Sequence, residues 1–455
     1  MKLTKLSAAI LFGLASTGSF AGALDRSGQS ISSFLQPGNY FEAGISILDP
    51  DVSGKDSNGN PTGDMAGDYY FPSAALKIQA TDKFSVGLIY DQPFGADAEY
   101  TGKNNFVSTP SDGVLPGTNL TSNLPVVTGA PNAQLPNGTP VITHPVTGAP
   151  LAIALGTPIT GSTSVEVDTQ NLSLIFGYQP TENFNFYAGG VYQSVKGNVK
   201  LRGSTYSLFN GYDADIPEDS AAGWLAGAAY QIPEIALKAS ITYRSEIDHK
   251  VNVRENIPLI SPLGTLLVGS GAIPGSALAG LNSEGETKIT TPQSVNLDLQ
   301  SGIMANTVAF ANIRWVDWSN FAIQPHKFGN LSKLAGGLLP ALGKPDGFNL
   351  VDYSKDQWSV TTGVGRKFNE KWAGNVSVGW DSGAGNPVTT LGPTEGYWNA
   401  GVGLQYSPTP ATFIAGGVKY FWLGDADAQT GAHSAAGKFE DNNALAYGLK
   451  LGYKF

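Results

Sequence analysis

From Asn443 to Phe455 the chain alternates: Leu445, Tyr447, Leu449, Leu451, Tyr453 and Phe455 fall on one parity, and Ala446, Gly448, Lys450, Gly452 and Lys454 on the other. A period of two sends the two sets to opposite faces of a strand. Aromatic residues near both ends of the apolar face suit a barrel wall whose girdles sit at the two membrane interfaces, although a soluble sandwich strand can also read this way. The same pattern recurs as fourteen segments: Gly38 to Asp49, Tyr69 to Ala80, Lys83 to Tyr100, Thr163 to Tyr178, Asn183 to Lys200, Ala221 to Ile232, Ala236 to Lys250, Glu286 to Gln300, Gly302 to Val316, Lys355 to Phe368, Lys371 to Asp381, Thr394 to Ser407, Ala411 to Asp425 and Asn443 to Phe455. An even count is what a bacterial single-chain barrel requires. Short turns such as Thr81-Asp82, Pro233-Glu234 and Asn369-Glu370 alternate with long loops rich in Gly, Pro and Asn. That is the short-periplasmic, long-extracellular asymmetry of outer-membrane barrels. The expected fold is all-β, a 14-stranded antiparallel transmembrane β-barrel.

Three loops stand apart. Thr101 to Ser162, with its repeated Thr-Gly-Ala-Pro, reads as a mobile surface loop. Asn252 to Gly285 and Phe321 to Ser354 are apolar in their middles, and Leu331, Leu334, Leu338, Leu339 and Leu342 fall at near-helical spacing. Such loops either pack on one another or bind something apolar. Met1 to Ala23 reads as a signal peptide, with Lys2 and Lys5, the apolar run Leu6 to Ala15 and a small-residue cleavage site at Ala21-Gly22-Ala23. No other stretch is long and apolar enough for a membrane helix, so a membrane-spanning form must be a closed barrel. Charged residues make up 14% of the chain, below the roughly 25% of soluble domains, as an alternating wall would give. A formal charge of -10 without a basic run argues against nucleic acid as a partner. Without cysteine, and with only His144, His249, His326 and His433, neither a disulfide staple nor a zinc site is expected, and no cofactor is implied. Asp49, Asp51, Asp56 and Asp64 read as solvated turns in preference to a Ca²⁺ site bridging lipopolysaccharide. A lipid hydrolase is disfavoured because no Gly-x-Ser-x-Gly elbow occurs.

Strand parity sorts the inner faces. In Ala236 to Lys250, the residues Lys238, Ser240, Thr242, Arg244, Glu246 and Asp248 are expected inside. In Gly302 to Val316, Met304, Val308 and Phe310 are expected inside beside Arg314, and in Ala411 to Asp425, Phe413, Phe421 and Leu423 beside Lys419. Large apolar groups mixed with isolated cations either form a passage for an amphipathic anion or pack as an internal ion-pair net, with Arg244 answered by Glu246 or Asp248. A passive porin would show a more polar interior. Pro93-Phe94-Gly95 interrupts the third strand, because proline cannot donate to the ladder. The interruption is either a kink beside a hole in the wall or an early start to the loop.

These features together resemble the FadL-like family of outer-membrane transporters of long-chain fatty acids and other hydrophobic compounds. The resemblance spans nearly the whole mature chain. It is carried by Ile47-Leu48-Asp49-Pro50-Asp51-Val52, Thr242-Tyr243-Arg244-Ser245-Glu246, Trp315-Val316-Asp317-Trp318-Ser319, Lys355-Asp356-Gln357-Trp358, Trp380-Asp381-Ser382 with Pro387, and Tyr453-Lys454-Phe455. It implies residues 24–37 as an N-terminal plug (hatch) inside a barrel of residues 38–455, an apolar landing site among the outer loops, and a tighter lumenal site. It also implies a lateral gate at Pro93, Phe94 and Gly95. Lys196 and Lys355 fall near family positions that hold the substrate carboxylate, while Ser194 stands where the best-known pattern has a basic residue. The substrate-binding set expected is therefore Lys196, Arg244, Arg314, Lys355, Met304, Val308, Phe310, Phe413 and Phe421. The plug segment lacks the family's Asn-Pro-Ala, and so short a segment is expected to thread the lumen without filling it. The chain is thus expected to be an outer-membrane uptake channel, not an enzyme, working as a monomer among outer-membrane lipid and lipopolysaccharide. Long-chain fatty acids are the first substrate class and neutral compounds such as monoaromatic hydrocarbons the alternative.

Overall fold

The computed structural model describes residues 24–109, 126–127, 129–136, 138–154, 159–269, 273–338 and 342–455. The expected signal peptide lies outside them. Fourteen strands close into one antiparallel barrel, each bonded to its sequence neighbours, with β1 sealing against β14. They are β1 Tyr40–Asp51, β2 Tyr69–Gln79, β3 in two pieces (Phe84–Asp91 and Gly95–Glu99), β4 Ser164–Tyr178, β5 Phe184–Leu201 and β6 Tyr212–Ile232. β7 is Leu237–Arg244 and Ile247–Val251, β8 is Thr287–Thr291 and Ser294–Met304, and β9 is Thr307–Val316. β10 Gln357–Lys367, β11 Trp372–Asp381, β12 Tyr397–Tyr406, β13 Thr412–Leu423 and β14 Asn443–Lys454 complete the wall.

The alternation places apolar residues on the lipid face. Leu445, Tyr447, Leu449, Leu451 and Tyr453 of β14 are exposed, while Ala444 and Ala446 are buried. Registered pairs build the two girdles: Trp315 faces Trp358, and Trp398 faces both Trp380 and Trp422. Near the short turns, Phe84 packs on Tyr178 and Trp372 on Tyr406. Aromatic rings are apolar in body and polar at one edge, which suits the interface on either side of hydrocarbon.

Two expectations about phase need correction. The turn between β8 and β9 lies at Ala305-Asn306, so Met304 ends β8 and is 61% exposed at the periplasmic rim, not lumenal. β7 breaks at Ser245-Glu246, which reverses the parity beyond it: Ile247 and His249 are buried, while Glu246 and Asp248 are exposed. Asp248 pairs with Lys288 at 2.9 Å, so neither acid answers Arg244.

The long loops cap the outer end. α1 Ile260–Gly269, α2 Gly275–Leu281 and α3 His326–Leu338 lie in the two apolar loops. Leu259, Leu267, Leu281, Phe328 and Leu331 join Phe209, Tyr212 and Phe348 in one buried cluster, so these loops do pack together. Parts of the loop 101–162, read from the sequence as a mobile surface loop, form a four-stranded sheet of Val126–Val127, Ala133–Gln134, Pro140–Thr143 and Pro150–Ala154. Asp56 and Asp64 serve as turn acceptors, Asp56 for the amides of Asn58, Asn60 and Asn105, and Asp64 for those of Val52 and Ala66.

Candidate functional site

The segment 24–38 runs through the lumen, and cations of the wall hold its main chain. Lys238 donates to the Leu35 carbonyl (2.8 Å), Lys77 to that of Gln36 (2.9 Å) and Arg244 to that of Gln29 (3.2 Å). Asn296 donates to the Gly28 carbonyl at 2.7 Å. Arg314 grips side chains: its Nε donates to Asp25 at 2.6 Å and its Nη2 to Gln29 Oε1 at 3.0 Å. Ile31, Phe34 and Leu35 complete a buried cluster with Ala75, Ile89, Ile175, Tyr187, Val191 and Leu225 of the wall. Phe34 meets Tyr187 edge-on at 5.8 Å, over Gly87 and Gly177, where a methyl group would fall on its ring. Glycines thin the wall around this one aromatic ring and so let it seat in the lumen.

At the kink, β3 leaves its neighbour. Asp91 faces Asn171 and Gly95 faces Asp168, so β3 carries one residue more than β4 across the break, a bulge. On the other side, the β2–β3 ladder ends at Ala74 opposite Tyr90. Contact resumes at Tyr69, whose hydroxyl donates to the Asp97 carbonyl and accepts from the Asp97 amide, and beyond it Gly67 donates to the Asp97 carbonyl and Ala66 bridges Ala98. Between these limits the β2–β3 ladder is unpaired, and a pocket there is edged by Phe71, Pro72 and Ser73 on one side and Tyr90, Asp91 and Gln92 on the other. The freed backbone of β3 turns inward onto the plug: Arg26 N–H donates to the Pro93 carbonyl (2.6 Å) and Gly95 N–H to that of Leu24 (2.9 Å). Phe94 is buried against Trp318, with ring centroids 5.6 Å apart.

Above the plug lies a cavity of about 940 Å³, bordered by Leu48, Val52, Met65, Ala98, Val165 and Ile323 among others. Towards the loops it shares Leu350, Thr389 and Leu391 with an aromatic pocket of about 340 Å³ around Tyr206, Phe209 and Phe328. At the unpaired stretch of β2 and β3 lies a third cavity of about 600 Å³, and Arg26 lines both this one and the central cavity. A side cavity of about 410 Å³ lies against Phe94, Trp318 and Phe321.

The structure scatters the substrate-binding residues expected from the sequence. Arg244 and Arg314 hold the plug. Lys196 is 55% exposed and paired with Asp168 at 3.6 Å, although it also borders the side cavity, and Lys355 is exposed as well. Val308, Phe310, Phe413 and Phe421 are buried, but Phe310 packs over Gly363 and Phe413 stacks on Tyr40, apart from the central cavity. Phe421 meets Tyr397 edge-on within the outer cluster. His249 is held between Asp219 (2.9 Å) and Gln193 (3.0 Å). A buried cation that sequence reasoning did not weigh is Arg26, which borders two of these cavities. Its signal was there, because Asp25 and Arg26 are the only charges between Leu24 and Pro37.

The model of the outer membrane protein transport protein family (OMPP1/FadL/TodX) matches residues 159–455. The chain belongs to that family. Among solved structures, a Pseudomonas aeruginosa FadL homologue aligns with a TM-score of 0.62 at 14% identity, over 93% of this chain and 92% of that one. The Pseudomonas putida toluene transporter TodX aligns with a TM-score of 0.55 at 13% identity, over 99% and 98%. These likenesses show the fold. A search of curated proteins returned no match. As a FadL/TodX-family protein, the chain is an outer-membrane transporter of hydrophobic compounds and not an enzyme. The plug and the kink lie N-terminal to the matched residues.

Proposed function

We propose that this FadL/TodX-family channel takes up long-chain fatty acids and releases them sideways, through the window between β2 and β3, into the membrane. The observation that carries this reading is continuity: the aromatic outer pocket, the central cavity and the window cavity share lining residues in series. A hole in a barrel wall is costly, since each unpaired backbone group in hydrocarbon costs several kcal/mol. Here the gap is backed from inside by Ser27, Ser30, Glu42 and Lys450, with Glu42 and Lys450 paired at 3.1 Å. A polar lining of that kind suits the passage of an amphipathic molecule better than a closed seam would. Toluene-sized neutral compounds are the second reading, favoured by the side cavity between Phe94, Trp318 and Phe321.

The chain has no cysteine, so one can be placed at the window without interference. Ser73→Cys, capped with a bulky maleimide, is expected to stop oleate uptake into cells while leaving oleate binding in detergent unchanged. Uptake that survives complete labelling would sink the lateral route.

A further inference from the structure

Of the wall cations that a parity reading offers as head-group ligands, Arg314 is engaged by the plug and Arg244 keeps Nε and Nη1 unpartnered among the described residues but borders none of the cavities described, whereas another buried cation does border the central cavity. Arg26 is only 9% exposed, and its guanidinium lies 3.9 Å above the centre of the Tyr69 ring and 5.7 Å from that of Phe71. Its Nη2 has no hydrogen-bond partner among the described residues. Asp97 borders the same cavity, but no carboxylate among the described residues forms an ion pair with Arg26. Asp97 and Asp168 act on Arg26 only through space and Tyr69 by a hydrogen bond, and a buried cation without a direct ion pair is best answered by a group that brings a negative charge into the cavity. The guanidinium fork matches a carboxylate with two parallel donors.

We propose that Arg26 is the head-group site of this channel, taking the carboxylate of a long-chain fatty acid whose tail lies in the central cavity. The site is thus borne by the plug and not by the wall. Its position supports this, because Arg26 lines both the central cavity and the cavity at the window. A glycine makes the placement possible: a methyl group at Gly95 would fall on the guanidinium. That glycine serves the approach of Arg26 as well as the bend of β3.

The proposal rests on the fatty-acid reading above, and one titration separates the two. Purified protein in mild detergent is titrated with oleate and with methyl oleate, following tryptophan fluorescence, and a heat-modifiable gel band reports folding. Wild type should prefer the acid, and Arg26→Gln should weaken oleate binding by about ten- to a hundredfold, the worth of a charge-assisted hydrogen bond, while sparing the ester. Arg26→Lys should fall between. Gly95→Ala keeps the charge but displaces it, so it should lower oleate affinity alone, and it carries the test if Arg26→Gln does not fold. Wild type that binds acid and ester equally would overturn the fatty-acid reading and this site with it. A wild-type preference that persists in Arg26→Gln and Gly95→Ala would overturn only the site. Equal loss of acid and ester would make Arg26 a packing residue, which also overturns it.

Discussion

Two arginines inside the same lumen have opposite circumstances. Arg314, on the wall, donates to Asp25, Gln29 and Asn296, and both it and Asp25 are almost wholly buried. Arg26, the plug residue next to Asp25, reaches into an apolar cavity with Nη2 unanswered. Around Arg314 the lumen is therefore closed by charge, wall to plug, although Arg244 keeps Nε and Nη1 unpartnered among the described residues; around Arg26 it is not. A lumenal cation read from strand parity is only a location; its meaning depends on what already answers it.

The largest effect should come from breaking that closure. Arg314→Met would strand the Asp25 carboxylate in the interior, at a cost of about 3–5 kcal/mol. The plug should then loosen, seen as raised ionic conductance in planar bilayers; wild-type conductance would show that this pair does not hold the plug. The socket of Phe34 comes next. Phe34→Ala should destabilise by about 3–5 kcal/mol, and Gly87→Val, which overfills the same socket, by about 1–3 kcal/mol. Both should lower the temperature at which the heat-modifiable band shifts. An unchanged midpoint in both would mean that the plug rests on its polar clamps alone. The smallest effect is expected from Lys196→Gln and Lys355→Gln, which alter exposed side chains and should stay within about 0.5 kcal/mol of wild type. Oleate affinity should not change in either, and a loss would return the head group to the outer wall.

Most of the barrel was legible because its wall is a two-period pattern repeated fourteen times, and a pattern of that kind survives local irregularity. Where it failed, the chain had changed phase. Ser245-Glu246 carries no signal that the parity of Ile247 to Val251 reverses, and Gly302 resembled a turn that the chain makes at Ala305-Asn306. The strands of the sheet in the long loop are two to five residues each, too short for alternation to stand out. The site was less legible than the wall. Pro93 marked the kink, but which cations face substrate depends on a plug that follows no period, and contacts between Arg314 and Asp25 link residues 289 positions apart.

The wall's hold on the plug falls largely on peptide carbonyls, those of Gly28, Gln29, Leu35 and Gln36. A carbonyl is the same in every residue, so this grip recognises a path and not a spelling. Evolution can rewrite much of such a segment, dropping a motif or shortening it, as long as the backbone still passes the same donors and one aromatic ring still reaches its glycine-lined seat. The plug is then the part of the protein where a new substrate preference can be introduced at least risk to the barrel. A single substitution there changes what meets the cargo, while all fourteen strands keep their register.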